Sequence, residues 1–234
     1  MTTAPTDALD HLLVLGDLQY QFLASIDLVD PATPIPWCGR WRVRNLVVHL
    51  ARIHHWAAGQ ALRRQETPLG RGPFDLPSLY ASCALELRST LTDVSPAAPA
   101  WTLDESGVAG FWRRRQTHET LIHLWDLRTA GGLPFDASPV VWADAVDEVV
   151  TVMQPRQERM GRMEPLPAPI ELVATDADRR WLLGGDGVPA AQVTGPASVL
   201  ALLFWGRGSV SAPVLDVAGD RGALDDALNR RLTP

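Results

Sequence analysis

Residues 113–126 read RRRQTHETLIHLWD and residues 44–56 read RNLVVHLARIHHW. In the first stretch Glu119 and His123 stand four apart, so on a helix their side chains share one face about one turn apart. His118 is five residues from His123 and points elsewhere, so the spacing is HExxxH and not the HExxH of a zinc peptidase helix. A glutamate and a histidine one turn apart offer an anionic oxygen and an imidazole nitrogen, a partial site for zinc or a related divalent ion. A third ligand must come from another helix. His49 in the second stretch, among Leu46, Val47, Val48 and Leu50, is expected to face a helical interior. A metal-free His–Glu hydrogen-bonded pair has the same spacing, so the residues alone leave both readings open.

The neighbours sort by position. His54 and His55 fall off the His49 face and are expected at the surface or rim. Asp126, three residues past His123, is placed either to accept the second ring N–H of His123 or to serve as a surface or cap carboxylate. Arg113–Arg115 read as a solvated charge run, or as an anion contact at the mouth of the bundle. Trp41, Trp56 and Trp125 fall near the site and are expected to line its pocket. Cys38 and Cys83 show no activating partner.

Outward from this centre, apolar residues recur at helical spacing over residues 6–28, from about Val43 to Arg64, over Pro77–Leu91, from about Gly110 to Thr129 and over Ser138–Gln154. Pro- and Gly-rich breaks separate these segments, and Gly131–Gly132 ends the fourth. Short breaks between helices are the pattern of a bundle. After Glu164–Pro169, the expected linker, the texture changes. IELVATD and RRWLLGG read as a hairpin, VPAAQVTG as a third strand and Pro213–Val217 as a further short strand. Helices are expected from Pro196 to about Trp205, capped by Thr194, and from about Arg221.

The chain has 234 residues, 46% hydrophobic and 21% charged, which is a folded composition sufficient for one large or two small domains. A net charge of −6 disfavours non-specific binding to nucleic acid or to an anionic membrane. All 21 basic residues are arginine. Without lysine, Schiff-base enzymes and Walker-type phosphate loops are excluded. The Arg-, Ala-, Pro- and Trp-rich composition is that of a high-GC genome, as in actinobacteria. Two distant cysteines and a polar, acidic N-terminus without a basic n-region predict a cytoplasmic protein. The strongest apolar run, Ala197–Trp205, is about half of the roughly 20 residues that a membrane span needs. GDGVPA at Gly185–Ala190 formally fits GxGxxA, but it contains Pro189 and opens no helix, so dinucleotide binding is rejected. No GxSxG hydrolase elbow is present.

Three segments together resemble the maleylpyruvate isomerase family of mycothiol-dependent enzymes, within the DinB-like superfamily. WCGRWRVRNLVVHLARIHHWAAG resembles the family's W-x-V-x-D-L-V-x-H-L-A-x-x-H-x-W segment. RRRQTHETLIHLWDL resembles its R-x-x-H-E-x-x-x-H-x-W-D helix, and VTGPASVLALLFWGR its C-terminal G-P-A-x-x-L-x-L-x-L-W-G-R segment. Asn45 stands where the family usually has Asp, and the order around Trp37–Cys38 departs from the common Cys-Pro-Gly-Trp. The resemblance implies a DinB-like four-helix bundle over residues 1–160. It also implies a small α+β, sterol-carrier-protein-like domain over residues 165–234.

For the site, the resemblance implies a divalent metal, zinc foremost, held by His49, Glu119 and His123 with a position open for the thiol of mycothiol. The thiolate would add to a small electrophile. Isomerisation follows if the adduct rotates and expels the thiol, and S-transfer follows if the adduct is kept. Arg207 resembles the family's arginine that reaches toward the site, as a catalytic and cofactor contact, or else is a solvated helix end. Asp126, from its helix position, is the second catalytic candidate, and Trp56, from its place near the site, the second cofactor contact. The partners are then a low-molecular-weight thiol and a small electrophile, with no nucleic acid or membrane, in a monomer or homodimer. The alternatives are a metal-dependent hydrolase that activates water, or a non-catalytic metal- or ligand-binding protein.

Overall fold

The computed structural model describes residues 9–65 and 67–234, which divide into two compact units, the first ending at Phe135 and the second starting at Asp136. The start of the first expected helix, residues 6–8, lies outside the described residues.

The first unit is four helices: α1 (His11–Ile26), α2 (Val43–Ala61), α3 (Leu76–Asp93) and α4 (Gly110–Ala130). Each begins or ends for a local reason. The Asp10 carboxylate accepts from the N–H groups of Leu12 and Leu13, both at 3.1 Å, and Asp75 does the same for Ser78 at 3.0 Å. Asn45 Oδ1 accepts the Arg42 N–H at 3.0 Å, closing the first turn of α2. α4 stops at Gly131, where a Cβ would stand 2.4 Å from Val29 Cγ2, and the chain turns away through Gly132 with φ +67°.

α2 packs chiefly on α3 and α1 chiefly on α4, with α2 also against α4. Ala57, Ala58 and Ala61 are the small residues of α2 in a core shared with Leu15, Leu87 and Trp112. Their size lets neighbouring backbones approach, and the alternation of small and large residues fills the space.

The second unit starts with α5 (Pro139–Glu148), a five-residue π-helical turn (Val149–Met153) and α6 (Gln154–Arg159). The sequence predicts one helix here. Pro155 has no N–H for an α-helical bond to Thr151 and its ring crowds that carbonyl, which is reason for the wider turn just ahead of it. The strands β1 (Ile170–Ala174), β2 (Arg179–Leu183), β3 (Ala191–Gly195) and β4 (Asp216–Gly219) form one sheet in the order β2-β1-β3-β4. The β1–β2 hairpin is antiparallel, as expected, β3 runs parallel to β1, and β4 is antiparallel to β3. Ile170, Leu172 and Ala174 are buried and alternate with half-buried Glu171 and Val173, so one face is covered. α7 (Ala197–Phe204) packs on α5 and on that sheet, and α8 (Arg221–Asn229) closes the unit.

Two expectations are corrected. The division falls at Phe135, ahead of the proline-rich Glu164–Pro169, and α5 packs on α7 within the second unit. The prolines mark a break between elements of one unit. Thr194 does not cap α7, since it lies within β3; Asp176 Oδ1 accepts the Ala197 N–H at 2.9 Å instead. No helix among the described residues is long and apolar enough to cross a membrane.

Candidate metal centre

α2 and α4 bring together the residues that spacing singled out. Glu119 Oε1 lies 3.3 Å from His49 Nε2 and 3.3 Å from His123 Nε2. The two imidazole rings meet edge to face, 5.0 Å between centroids at 83°. One ligand atom from each of the three residues lies within 4.8 Å of the other two. Donors about 2.1 Å from a tetrahedral ion stand about 3.4 Å apart, so the two 3.3 Å separations fit the edges of a zinc-sized shell.

Two of these side chains, Glu119 and His123, are held from behind. Arg115, one turn before Glu119, bonds Glu119 Oε2 at 2.6 Å, leaving Oε1 to the histidines. Burial opposes ionisation of Glu119, but the hydrogen bonds from His123 and His49 and the Arg115 charge outweigh it and hold the carboxyl well below the usual range. His123 Nδ1 lies 2.9 Å from Oδ2 of the fully buried Asp126. Burial pulls the His123 pKa down, but the bonds to Asp126 and Glu119 win and carry it up to about 9. In the metal-free protein His123 is therefore an imidazolium between two carboxylates.

The α1–α2 loop completes the surround. Trp37 Nε1–H donates to Asp126 Oδ1, and Cys38 Sγ lies 3.9 Å from Oδ2. Trp37 also packs against Trp125 in a tilted pair at 4.7 Å, and Trp41 packs against the His49 ring in another at 4.7 Å.

Several sequence expectations change. Arg115 is not solvated; it is 3% exposed and bound to Glu119. Arg113 also turns inward, donating to the Leu91 carbonyl at 3.1 and 2.7 Å. His54 is not a rim residue but is fully buried, with Nδ1 2.8 Å from Gln116 Oε1. Loss of solvent is the main cause that lowers its pKa to about 4. His55 is half-buried between Glu86 Oε2 at 2.6 Å and the Thr67 carbonyl at 2.7 Å. Cys38 has a partner after all, in Asp126. Burial pushes the Cys83 thiol up to about 11, which fits an inert core residue.

The remaining candidates are placed as follows. Trp56 packs edge to face on Trp112 at 5.0 Å and borders a cavity of about 670 Å³ with Arg52, Ile53, Leu69 and Arg71. Arg207 lies in the second unit just after α7, its guanidinium donating to the Trp205 carbonyl at 2.6 Å. Sequence reasoning missed Trp37 and the inward turn of Arg115. The i,i+4 spacing of Arg115 and Glu119 was the available signal for the latter.

The model of the mycothiol maleylpyruvate isomerase N-terminal domain matches residues 17–128, and that of the MDMPI C-terminal domain matches residues 141–226. The chain belongs to the mycothiol maleylpyruvate isomerase family. The division after Phe135 falls between the two matched domains of the family. Two crystal structures share the fold, that of a mycothiol-dependent maleylpyruvate isomerase and that of a histidine-to-alanine mutant of the enzyme. Each aligns with a TM-score of 0.64 at 15% identity, covering 94% of this chain and 97% of the other. No curated protein matches the chain.

Proposed function

We propose that this chain is a metal- and mycothiol-dependent enzyme of the cytoplasm, a maleylpyruvate-type isomerase or a thiol S-transferase. His49, Glu119 and His123 hold a divalent ion, with zinc as the best fit. The observation that carries the reading is the convergence of these three donors within 4.8 Å in a chain of this family. Three protein donors leave the fourth tetrahedral position to a thiol. The ion, when bound, lowers the pKa of such a thiol from about 8.5, so that the thiolate nucleophile exists at neutral pH.

The chain's own residues prepare that site. Asp126 accepts the Nδ1–H of His123, so that the proton an ion would displace is the one on Nε2, which faces Glu119. Arg115 keeps Glu119 ionised and engages one of its oxygens. The Trp41 ring shields one side of His49. Arg207 is assigned to a carboxylate of the substrate or of the thiol, the pairing its planar fork favours. Trp56 is assigned to the body of the thiol. The substrate is a small electrophile with a polarised double bond or a leaving group.

Metal analysis of purified protein tests the centre. The wild type should retain about one equivalent, and His49→Ala and His123→Ala should each lose it; full occupancy in both variants defeats the ligand assignment. Glu119→Gln should abolish thiol-dependent turnover, and undiminished activity refutes the mechanism. Mycothiol should raise the melting temperature of the metal-loaded protein. Metal retained with no thiol effect removes the thiol reading while leaving the centre.

A further inference from the structure

The carboxylate behind His123 is itself held by another element. Asp126 is fully buried, and donors from two places in the chain meet on it. His123 Nδ1–H and the more distant Cys38 thiol reach Oδ2, at 2.9 and 3.9 Å, and the Trp37 indole N–H reaches Oδ1. The loop that supplies Trp37 and Cys38 is a tight, internally bonded turn. The Cys38 N–H donates to the Ile35 carbonyl at 3.1 Å, the Trp41 N–H to the Cys38 carbonyl at 3.1 Å and the Ile35 N–H to the Trp41 carbonyl at 2.9 Å, around a fully buried Ile35. The same turn therefore touches both histidines, His49 through the Trp41 ring and His123 through Asp126.

We propose that Trp37 is a positioning residue for His123, and that its indole N–H fixes the rotation of the Asp126 carboxylate. This rests on the metal reading above. An aspartate carboxylate turns easily about its last torsion, whose well is broad. A donor on Oδ1 pins the plane and keeps Oδ2 on the Nδ1–H of His123. That bond in turn fixes the tautomer and aims Nε2 at the centre. Packing against Trp125, the residue adjoining Asp126, fixes where the indole sits. Partners one step behind a metal ligand commonly govern about 10- to 100-fold in affinity. Trp37 stands two steps behind, so its effect must pass through Asp126.

A double-mutant cycle in zinc affinity tests this, with Trp37→Phe, which keeps a ring on Trp125 but lacks the N–H, Asp126→Ala, and the pair together. Dissociation constants come from competition with a chromophoric chelator, and the visible spectrum of the cobalt-substituted protein reports ligand geometry. Trp37→Phe should weaken zinc binding about tenfold and alter the cobalt spectrum. In the Asp126→Ala background the same change should alter affinity less than about twofold. Wild-type affinity in Trp37→Phe, or an equal loss in both backgrounds, overturns the proposal.

Should Trp37→Phe fail to fold, the indole N–H of the wild type can be followed by NMR. Its hydrogen exchange should be slow and should accelerate in Asp126→Ala; unchanged exchange overturns the proposal. A wild-type chain that takes up neither zinc nor cobalt removes the metal centre itself, a result distinct from a failed cycle.

Discussion

Arg115 and Glu119, one turn apart on α4, form a nearly buried ion pair with Nη2 to Oε2 at 2.6 Å, while the other oxygen of Glu119 faces two histidines. The Arg115 side chain is 4% exposed, so solvent does little to replace it. Removing one partner of a buried pair strands the other charge, at a cost of about 3 to 5 kcal/mol. Arg115→Met, which keeps the aliphatic stem, should lower the unfolding free energy of the metal-free protein by about 3 kcal/mol in urea titrations. A change under about 0.5 kcal/mol would mean that the pair contributes little beyond its packing.

In the proposed metal centre a proton and the ion would compete for His123. In the metal-free protein its pKa is carried from 6.5 to about 9, so its pairing favours the folded state fully below pH 6.5. That contribution is lost as pH rises through about 9. Metal binding must expel this proton, so zinc affinity should climb with pH up to about 9. The melting-temperature gain on adding zinc should grow over the same range. Titration calorimetry in buffers of different ionisation enthalpy should show about one proton released per zinc at pH 7.5. A proton count near zero contradicts the assignment of His123 as a ligand.

His54 predicts acid sensitivity with the opposite sign. Burial lowers its pKa from 6.5 to about 4, so the unfolded chain binds a proton there more readily than the folded one. Stability is full above pH 6.5 and falls as pH drops toward 4. The total is about 3 kcal/mol, from about 1.4 kcal/mol per pH unit. Glu119, also shifted downward, begins to matter only below its ordinary value of 4.5. Between pH 6.5 and 4.5 the slope should therefore flatten in His54→Gln relative to the wild type. Parallel urea midpoints in the two proteins across that range would count against a neutral buried His54.

At the start of α7 the cap belongs to a residue far away in sequence. Asp176→Ala should cost about 1 kcal/mol, the usual worth of an N-terminal cap, while Thr194→Ala should cost much less because its hydroxyl does not reach the helix end. Thermal melts of the two variants decide the matter, and a larger loss from Thr194→Ala would reverse the assignment.

The helical bundle, the hairpin and the α4 pair of Glu119 with His123 were legible in the sequence because they depend on local periodicity. Spacing four on a helix puts two side chains on one face whatever surrounds it, and alternation marks a half-covered strand. His49 was legible from its apolar neighbours. Other features depend on how elements rotate against one another. The charge run at Arg113–Arg115 looks solvated until α4 turns Arg115 inward onto Glu119. His54 looks peripheral on a wheel drawn around His49, yet α2 is covered on that side by α4, where Gln116 supplies its partner.

By itself, then, the sequence determined the element types, the two-part organisation and the Glu119–His123 pair, all set by interactions within a few residues. Tertiary structure decided that His49 reaches Glu119 across 70 positions of chain. It also decided that Trp37 and Cys38 converge on Asp126, and that α5 packs on α7 within the second unit. These contacts rest on the packing of surfaces distant in sequence, and local spacing carries no record of which surfaces will meet.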